Sequence, residues 1–291
     1  MKVVLFCGGL GMRIRDYADA IPKPMITIGY RPLLWHVMKY YAHFGHTDFI
    51  LCLGHRGDVI KDYFLNYDEC VSNDFVLRDG GKDVALLNAD ISDWRITFVD
   101  TGLNSNIAQR LTAVERYLGP DREFLANYSD GLTDLHLPSQ IEHFREHGAT
   151  ASFLSVKPNL SYHVVSLGEN GFVQDIQDIR SSGLRVNGGS FVFKREIFDH
   201  IREGDELVHE PFQRLVAEQR LVAYDYNGFW AAMDTYKDRQ LLEDMYLKGD
   251  ARWQVWNQAR PDAMPMATRP APAARRRVKT PTLVRAAGDR M

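Results

Sequence analysis

No stretch of this 291-residue chain stays apolar for the ~20 residues that a membrane-spanning helix needs. Its three cysteines, Cys7, Cys52 and Cys70, form no C-x-x-C pair and no zinc spacing, which suits a reducing compartment. Charge of one sign is also missing. Lys and Arg number 35 against 38 Asp and Glu, a net of −3 that argues against a general nucleic-acid binder. Two familiar nucleotide signatures are incomplete. A P-loop needs G-K-[ST], which is absent, and a dinucleotide fingerprint needs G-x-G-x-x-G with an acid about 20 positions on. Here the chain reads Ile28-Gly29-Tyr30, so an NAD-dependent dehydrogenase is excluded. A core-strand pattern opens at Val3, leaving no room for a signal peptide, and the cytoplasm is the expected location.

What the chain does have is concentrated near its start. Val3 to Cys7 reads as a buried parallel strand running into Gly8-Gly9-Leu10-Gly11-Met12-Arg13. Bare backbone N–H groups in such a turn can wrap phosphate oxygens where side chains would collide. Arg13 and Lys23, the latter held between Pro22 and Pro24, add two mobile positive charges. Together these suggest a triphosphate site. A tight strand-to-helix turn without a ligand would use the same glycines, and Lys23-Pro24-Met25 weighs against that reading.

Strand and helix patterns then alternate. Strands are expected at 49–53, 96–99 and 124–128, and helices near 34–44, 59–67 and 108–118. This order predicts an α/β fold, a Rossmann-like and mostly parallel sheet flanked by helices, with ligands at the carboxyl ends of the strands. Denser strand signals at 151–156, 163–167, 173–176 and 190–193 predict a smaller mixed-sheet region on the acceptor side. A helix over 210–219, a strand over 221–226 and a helix over 237–248 follow. Residues 1–256 read as the folded domain, and 257–291, rich in Pro, Ala and Arg, as a disordered tail.

Two acids stand out by context. Asp130 sits just past the carboxyl end of a predicted strand and is followed by Gly131, and Asp234 follows the apolar run 229–233. Magnesium held by one or two carboxylates and by substrate phosphates fits nucleotide chemistry. For each acid a helix N-cap is an equally good alternative.

The chain resembles the sugar-phosphate nucleotidylyltransferases, most closely the bacterial glucose-1-phosphate cytidylyltransferases, over roughly residues 1–256. The likeness rests on GGLGMR (8–13), KPM (23–25), PLLWHVMKYY (32–41), VDTG (99–102), Arg110-Leu111, SDG (129–131), VNGG (186–189), Glu210-Pro211 and GFWAAMDT (228–235). It implies a fold of the nucleotide-diphospho-sugar transferase type and transfer of CMP from CTP to a phosphorylated sugar or similar monoester. Phe6, Cys7, Gly8, Gly9, Leu10, Gly11, Met12 and Arg13 would wrap CTP, with Thr101, Ser105, Arg110 and Asp130 enclosing it. Lys23 would contact the reacting phosphate, Asn187, Gly188 and Glu210 would lie on the acceptor side, and Asp130 and Asp234 would hold Mg²⁺. Arg13 and Lys23 are the expected catalytic pair. The relatives also imply a homo-oligomer, with neither nucleic acid nor membrane as partner.

The departures fall on the acceptor side. Relatives usually carry a Glu-Lys-Pro motif before NGG, where this chain reads Gln177-Asp178-Ile179. Arg180 is the candidate to replace the missing lysine. Ser161-Tyr162-His163-Val164-Val165 stands where an Arg-x-Gly segment is usual, and Ser129 replaces a frequent glycine. The alternatives are the same chemistry with UTP or dTTP, or a catalytically silent nucleotide-binding regulator.

Overall fold

The computed structural model describes residues 1–9, 21–159 and 162–257. Leu10, Gly11, Met12, Arg13, Ser161 and the tail from 258 lie outside the described residues. Among the described residues, one compact unit comprises 1–66 and 93–257, and a second comprises Tyr67–Ser92. The second contains an antiparallel hairpin, Phe75–Arg78 with Asp83–Leu86.

The larger unit is built on strands β1 (Val3–Phe6), β2 (Asp48–Leu53), β3 (Arg95–Asp100), β4 (Glu123–Asn127), β5 (Gly131–Thr133), β6 (Ala151–Val156), β7 (His163–Leu167), β8 (Val173–Asp178), β9 (Val186–Asn187), β10 (Phe191–Lys194), β11 (Leu221–Tyr226) and β12 (Trp230–Ala232). Its helices are α1 (Leu33–His43), α2 (Gly57–Leu65), α3 (Ile107–Val114), α4 (Leu137–Glu146), α5 (Glu210–Ala217) and α6 (Tyr236–Leu247). The main sheet runs β9-β6-β10-β4-β1-β2-β3, with β11 beside β6. β4, β1, β2 and β3 are mutually parallel, whereas β10 runs antiparallel to both β4 and β6. The expected α/β architecture is therefore present, with the mixed region beginning at β10. β7 and β8 form a separate antiparallel hairpin.

Continuous apolar strands arise because both faces of the sheet are covered. Val3 and Leu5 point into a core shared with Leu34, Val37, Met38 and Tyr41 of α1. Val4 and Phe6, one residue out of phase, point into a second core with Leu111 and Val114 of α3 and with Phe212 and Leu215 of α5. The alternation of a strand thus pins helices to opposite faces. The carboxyl ends of the parallel strands are left free for the site. Among the described residues no helix is long and apolar enough to cross a membrane.

One buried histidine ties α1 to the last described segment. His36 accepts from Trp253 Nε1 at Nδ1 (3.3 Å) and donates from Nε2 to the Ile28 carbonyl (3.0 Å), which defines a neutral imidazole. Burial pushes its pKa down to about 4. The unfolded chain therefore takes up this proton first as pH falls from about 6.5 to about 4, and stability is lost across that window by up to about 3 kcal/mol. Urea titrations over this range should show a falling midpoint, and His36→Gln should flatten the fall. An unchanged slope in that variant would exclude His36 as the source.

Candidate active site

At the carboxyl edge the ends of β1, β2 and β3 meet around one side chain. Arg110, on α3, is only 3 % exposed. Its Nη1 donates to Leu53 O (3.1 Å), Thr101 Oγ1 (2.7 Å) and Gly102 O (3.0 Å), and its Nη2 to Gly8 O (2.9 Å) and Leu103 O (3.4 Å). Burial lowers its pKa, as a desolvated guanidinium requires. The helix that presents it starts with a capping box of Asn106 and Gln109. Gly8 is glycine for a local reason, because a Cβ there would fall on the Arg110 guanidinium. Gly54 is equally constrained, its Cβ lying 2.7 Å from Gly8 O. Thr101 Oγ1 donates to Leu53 O (2.7 Å) and Ser105 Oγ to Thr101 O (2.5 Å), which closes the loop after β3. Thr101, Ser105 and Arg110 are thus gathered at one place, where their polar groups hold the backbone of the edge.

The two acids and Lys23 converge. β5 pairs antiparallel with β12, Gly131 opposite Ala232, and the Met233 N–H donates to Asp130 O (2.9 Å). That short ladder sets Asp234 against Asp130 across more than a hundred residues of sequence. Lys23 opens a single 3-10 turn, Lys23–Met25, entered from Pro22 in extended conformation. Its Nζ donates to Asp130 Oδ2 (2.7 Å) and to Asp234 Oδ1 (2.7 Å). Burial pushes the ammonium pKa down, but the charges and hydrogen bonds of Asp130, then Asp234, outweigh it and leave it raised. Burial likewise raises Asp130, with Lys23 opposing. Helix capping does not account for Asp234. Thr235 is the N-cap of α6, in a capping box with Asp238, and the Asp234 side chain turns to Lys23 instead.

A cavity opens beside this cluster, lined by Phe6, Cys7, Lys23, Ile107, Tyr128 and Asp130 among others. Gly9 also lines it, and among the described residues nothing lies within 4 Å of where its Cβ would be. Burial pushes the Cys7 thiol up to about 12, so it is a neutral wall rather than a nucleophile. Ile107 and Tyr128 carry no chemical signal in the sequence. Ser129 holds a left-handed conformation (φ +65°) and donates from Oγ to Phe6 O (2.8 Å), joining the end of β4 to that of β1.

The acceptor-side candidates are dispersed. Asn187 Nδ2 donates to the Tyr128 hydroxyl (3.4 Å), and Gly188 O accepts from Trp230 Nε1 (2.9 Å), so both adjoin the cavity wall and β12. Arg180 grips Asp178 in a bidentate pair, Nε to Oδ1 (2.9 Å) and Nη2 to Oδ2 (2.5 Å). The arginine holds that carboxyl well below the usual range, and the two charges cancel in an exposed turn. The Glu210 carboxylate accepts from the Glu206 N–H (2.9 Å) at the start of α5. Neither Arg180 nor Glu210 lines the cavity.

A cavity at the carboxyl edge of parallel strands, with Lys23 and Asp130 in its lining and Asp234 bonded to the lysine, lies where open α/β sheets bind their ligands. A family model described as nucleotidyl transferase matches residues 2–243. Over 258 residues the chain is 35% identical to the glucose-1-phosphate cytidylyltransferase of Salmonella typhi, covering 88% of this chain and 100% of the relative. The enzyme of that name from Salmonella typhimurium matches at the same identity and coverage. A solved UDP-glucose pyrophosphorylase complexed with UDP-glucose shares the fold, with a TM-score of 0.62 at 15% identity over 85% of this chain and 98% of that one. The chain belongs to the nucleotidyl transferase family.

Arg110→Ala should remove the guanidinium donor from the Gly8 and Gly102 carbonyls and lower stability by about 2–4 kcal/mol. It should also raise the KM for nucleotide by at least about tenfold. Arg110→Lys should recover only part of both, since an ammonium cannot reproduce the planar fork. Denaturant melts and initial rates on the two variants check this; wild-type KM in Arg110→Ala would refute it.

Proposed function

We propose that the protein is a cytidylyltransferase that transfers CMP from CTP to a phosphorylated sugar, glucose-1-phosphate by default, and releases pyrophosphate. The observation that carries the reading is Lys23 held between Asp130 and Asp234 at the rim of the cavity. The choice of CTP and of glucose-1-phosphate is supported by the Salmonella relatives.

Two carboxylates suit a hard divalent cation. Among the described residues no cluster of three or more His, Cys, Asp or Glu forms a ready-made metal cage. That fits Mg²⁺, which keeps few protein ligands and completes its shell with substrate phosphates and water. Asp130 and Asp234 would hold it, and bound there it neutralises charge on the triphosphate and the departing pyrophosphate. A sugar-1-phosphate oxygen attacks the α-phosphorus in line, a new P–O bond forms, and the bond to the β-phosphate bridging oxygen breaks. The phosphate monoester is already an anion near neutral pH, so no general base is needed. Lys23 then serves by orienting the α-phosphate and stabilising its growing charge. Arg13, by the same reading, meets the leaving pyrophosphate. Gly8 and Gly9 offer backbone to the phosphates, and Asn187 and Gly188 border the sugar. With Arg180 already paired to Asp178, the acceptor phosphate would draw on Lys23 and the metal rather than on a substitute for the absent lysine. The reading places a homo-oligomer in the cytoplasm.

Pyrophosphate release should appear with CTP, Mg²⁺ and glucose-1-phosphate in preference to other triphosphates. Lys23→Ala and Asp234→Asn should each lose about a hundredfold or more in kcat, about 3 kcal/mol of transition-state stabilisation, without unfolding. Near-wild-type turnover in Asp234→Asn would sink the metal assignment. Silence with every triphosphate and a panel of sugar phosphates, while CTP still binds, would favour a regulatory homologue.

A further inference from the structure

Asp234 is not carried by the main sheet. The strand that leads to it, β12, is joined to β5 through three residue pairs, and that ladder directs the acid towards Asp130. So short a ladder does not hold its own register, and a one-residue slip would turn its side chains to the other face. At the site end it is closed by the Met233 N–H on Asp130 O. At the far end one carboxylate gathers several donors.

That carboxylate is Asp134. Its Oδ1 accepts from the Phe229 N–H (2.7 Å) and from the Tyr226 hydroxyl, and its Oδ2 accepts from Arg252 Nη2 (3.4 Å). Its own N–H donates to Phe229 O (3.2 Å), which also accepts from Thr133 Oγ1 (2.8 Å). The Arg252 guanidinium lies over the Phe229 ring, 5.3 Å from its centroid. Gly228 makes the closure possible, because a Cβ there would strike the Tyr226 hydroxyl and come within 2.9 Å of Asp134 Oδ1. The Tyr226 hydroxyl is pushed further from ionisation by burial and then by this acid, so it remains a donor. None of these groups lines the cavity.

We propose that Asp134 is a positioning residue for the divalent-metal site. By latching residues 226–229 to the end of β5, it sets the register that delivers Asp234 to Asp130. The inference rests on the assignment of that acid pair to the metal. An acid is suited to the latch because donors reach both of its oxygens, whereas an asparagine would turn an N–H₂ group toward one of them. The same latch steadies Trp230 and, through its indole bond, Gly188.

The test measures metal binding directly as well as turnover. Mn²⁺ is titrated into the full chain with CTP and no acceptor, followed by water-proton relaxation, and pyrophosphate release is titrated with Mg²⁺. Asp134→Asn should raise half-saturating Mn²⁺ and Mg²⁺ about tenfold. Its kcat at saturating Mg²⁺ should return to within about threefold of wild type, because no reacting group is lost. Tyr226→Phe, which removes one donor, should shift metal affinity the same way by less. A lower melting temperature with unchanged Mn²⁺ half-saturation would overturn the proposal. If Asp134→Asn does not fold, unchanged Mn²⁺ affinity in Tyr226→Phe overturns it equally. Equal Mn²⁺ binding by wild type and Asp234→Asn would identify the failure as that of the acid-pair assignment, and the proposal would fall with it.

Discussion

A guanidinium removed from water is tolerated only when its protons are met, and the carboxyl edge of this sheet is arranged around that requirement. Arg110 meets it with carbonyls from the ends of β1 and β2 and from the loop after β3, and with the Thr101 hydroxyl. The cost of burying the charge is several kcal/mol, offset by charge-assisted bonds in a fork that suits several acceptors at once. The consequence is positional. Three strand ends that would otherwise diverge with the sheet twist are drawn to one cation, and the glycine turn leaves β1 from a fixed point. Gly8 and Gly54 are the space this arrangement needs.

Charge is handled differently a few residues away. Lys23, Asp130 and Asp234 are partly exposed and paired through the lysine ammonium, so the cluster remains open to a ligand. Arg110 is committed to the scaffold; Lys23 is held by side chains that polyanionic phosphates and a divalent cation can compete for. The proximity of these two kinds of cation divides the site into a rigid frame and an exchangeable cluster. β5 and β12 complete the frame, since through them Asp234 reaches Lys23 beside Asp130.

Much of this was legible beforehand. The parallel strands announced themselves as unbroken apolar runs, and β6, β7 and β11 fall at their expected bounds because each is flanked by turn residues. Helix α4 was missed for a physical reason. Its buried face includes Gln140, which bonds Ser190 and so interrupts the apolar period that would reveal it. β5 and β12 were missed because three residues carry no periodicity. The hairpin at 75–86 has exposed Phe75 and Leu77, so its apolar residues do not sort into an inner and an outer face. Asp130, Asp234 and Lys23 stood out in the sequence as site candidates, each with an ordinary alternative as a cap or loop charge, and only the structure brings the three together. Arg180 was weighed as a substitute cation, and its pairing with Asp178 two positions away is local enough that the sequence did contain it.

The sequence by itself determined what is written in short range: the strand opening into glycines, the proline-flanked lysine, the absence of rival nucleotide signatures, and an α/β order that puts ligands at one edge. Such features depend on backbone conformation and periodicity, which neighbouring residues set. Only the tertiary structure decided which charges meet. Asp130 and Asp234 lie far apart in the chain and are brought together by a ladder of three pairs, while Arg110 faces inward to carbonyls that three distant strand ends gather at one place. Long-range electrostatic partners follow from topology, and no local pattern encodes them.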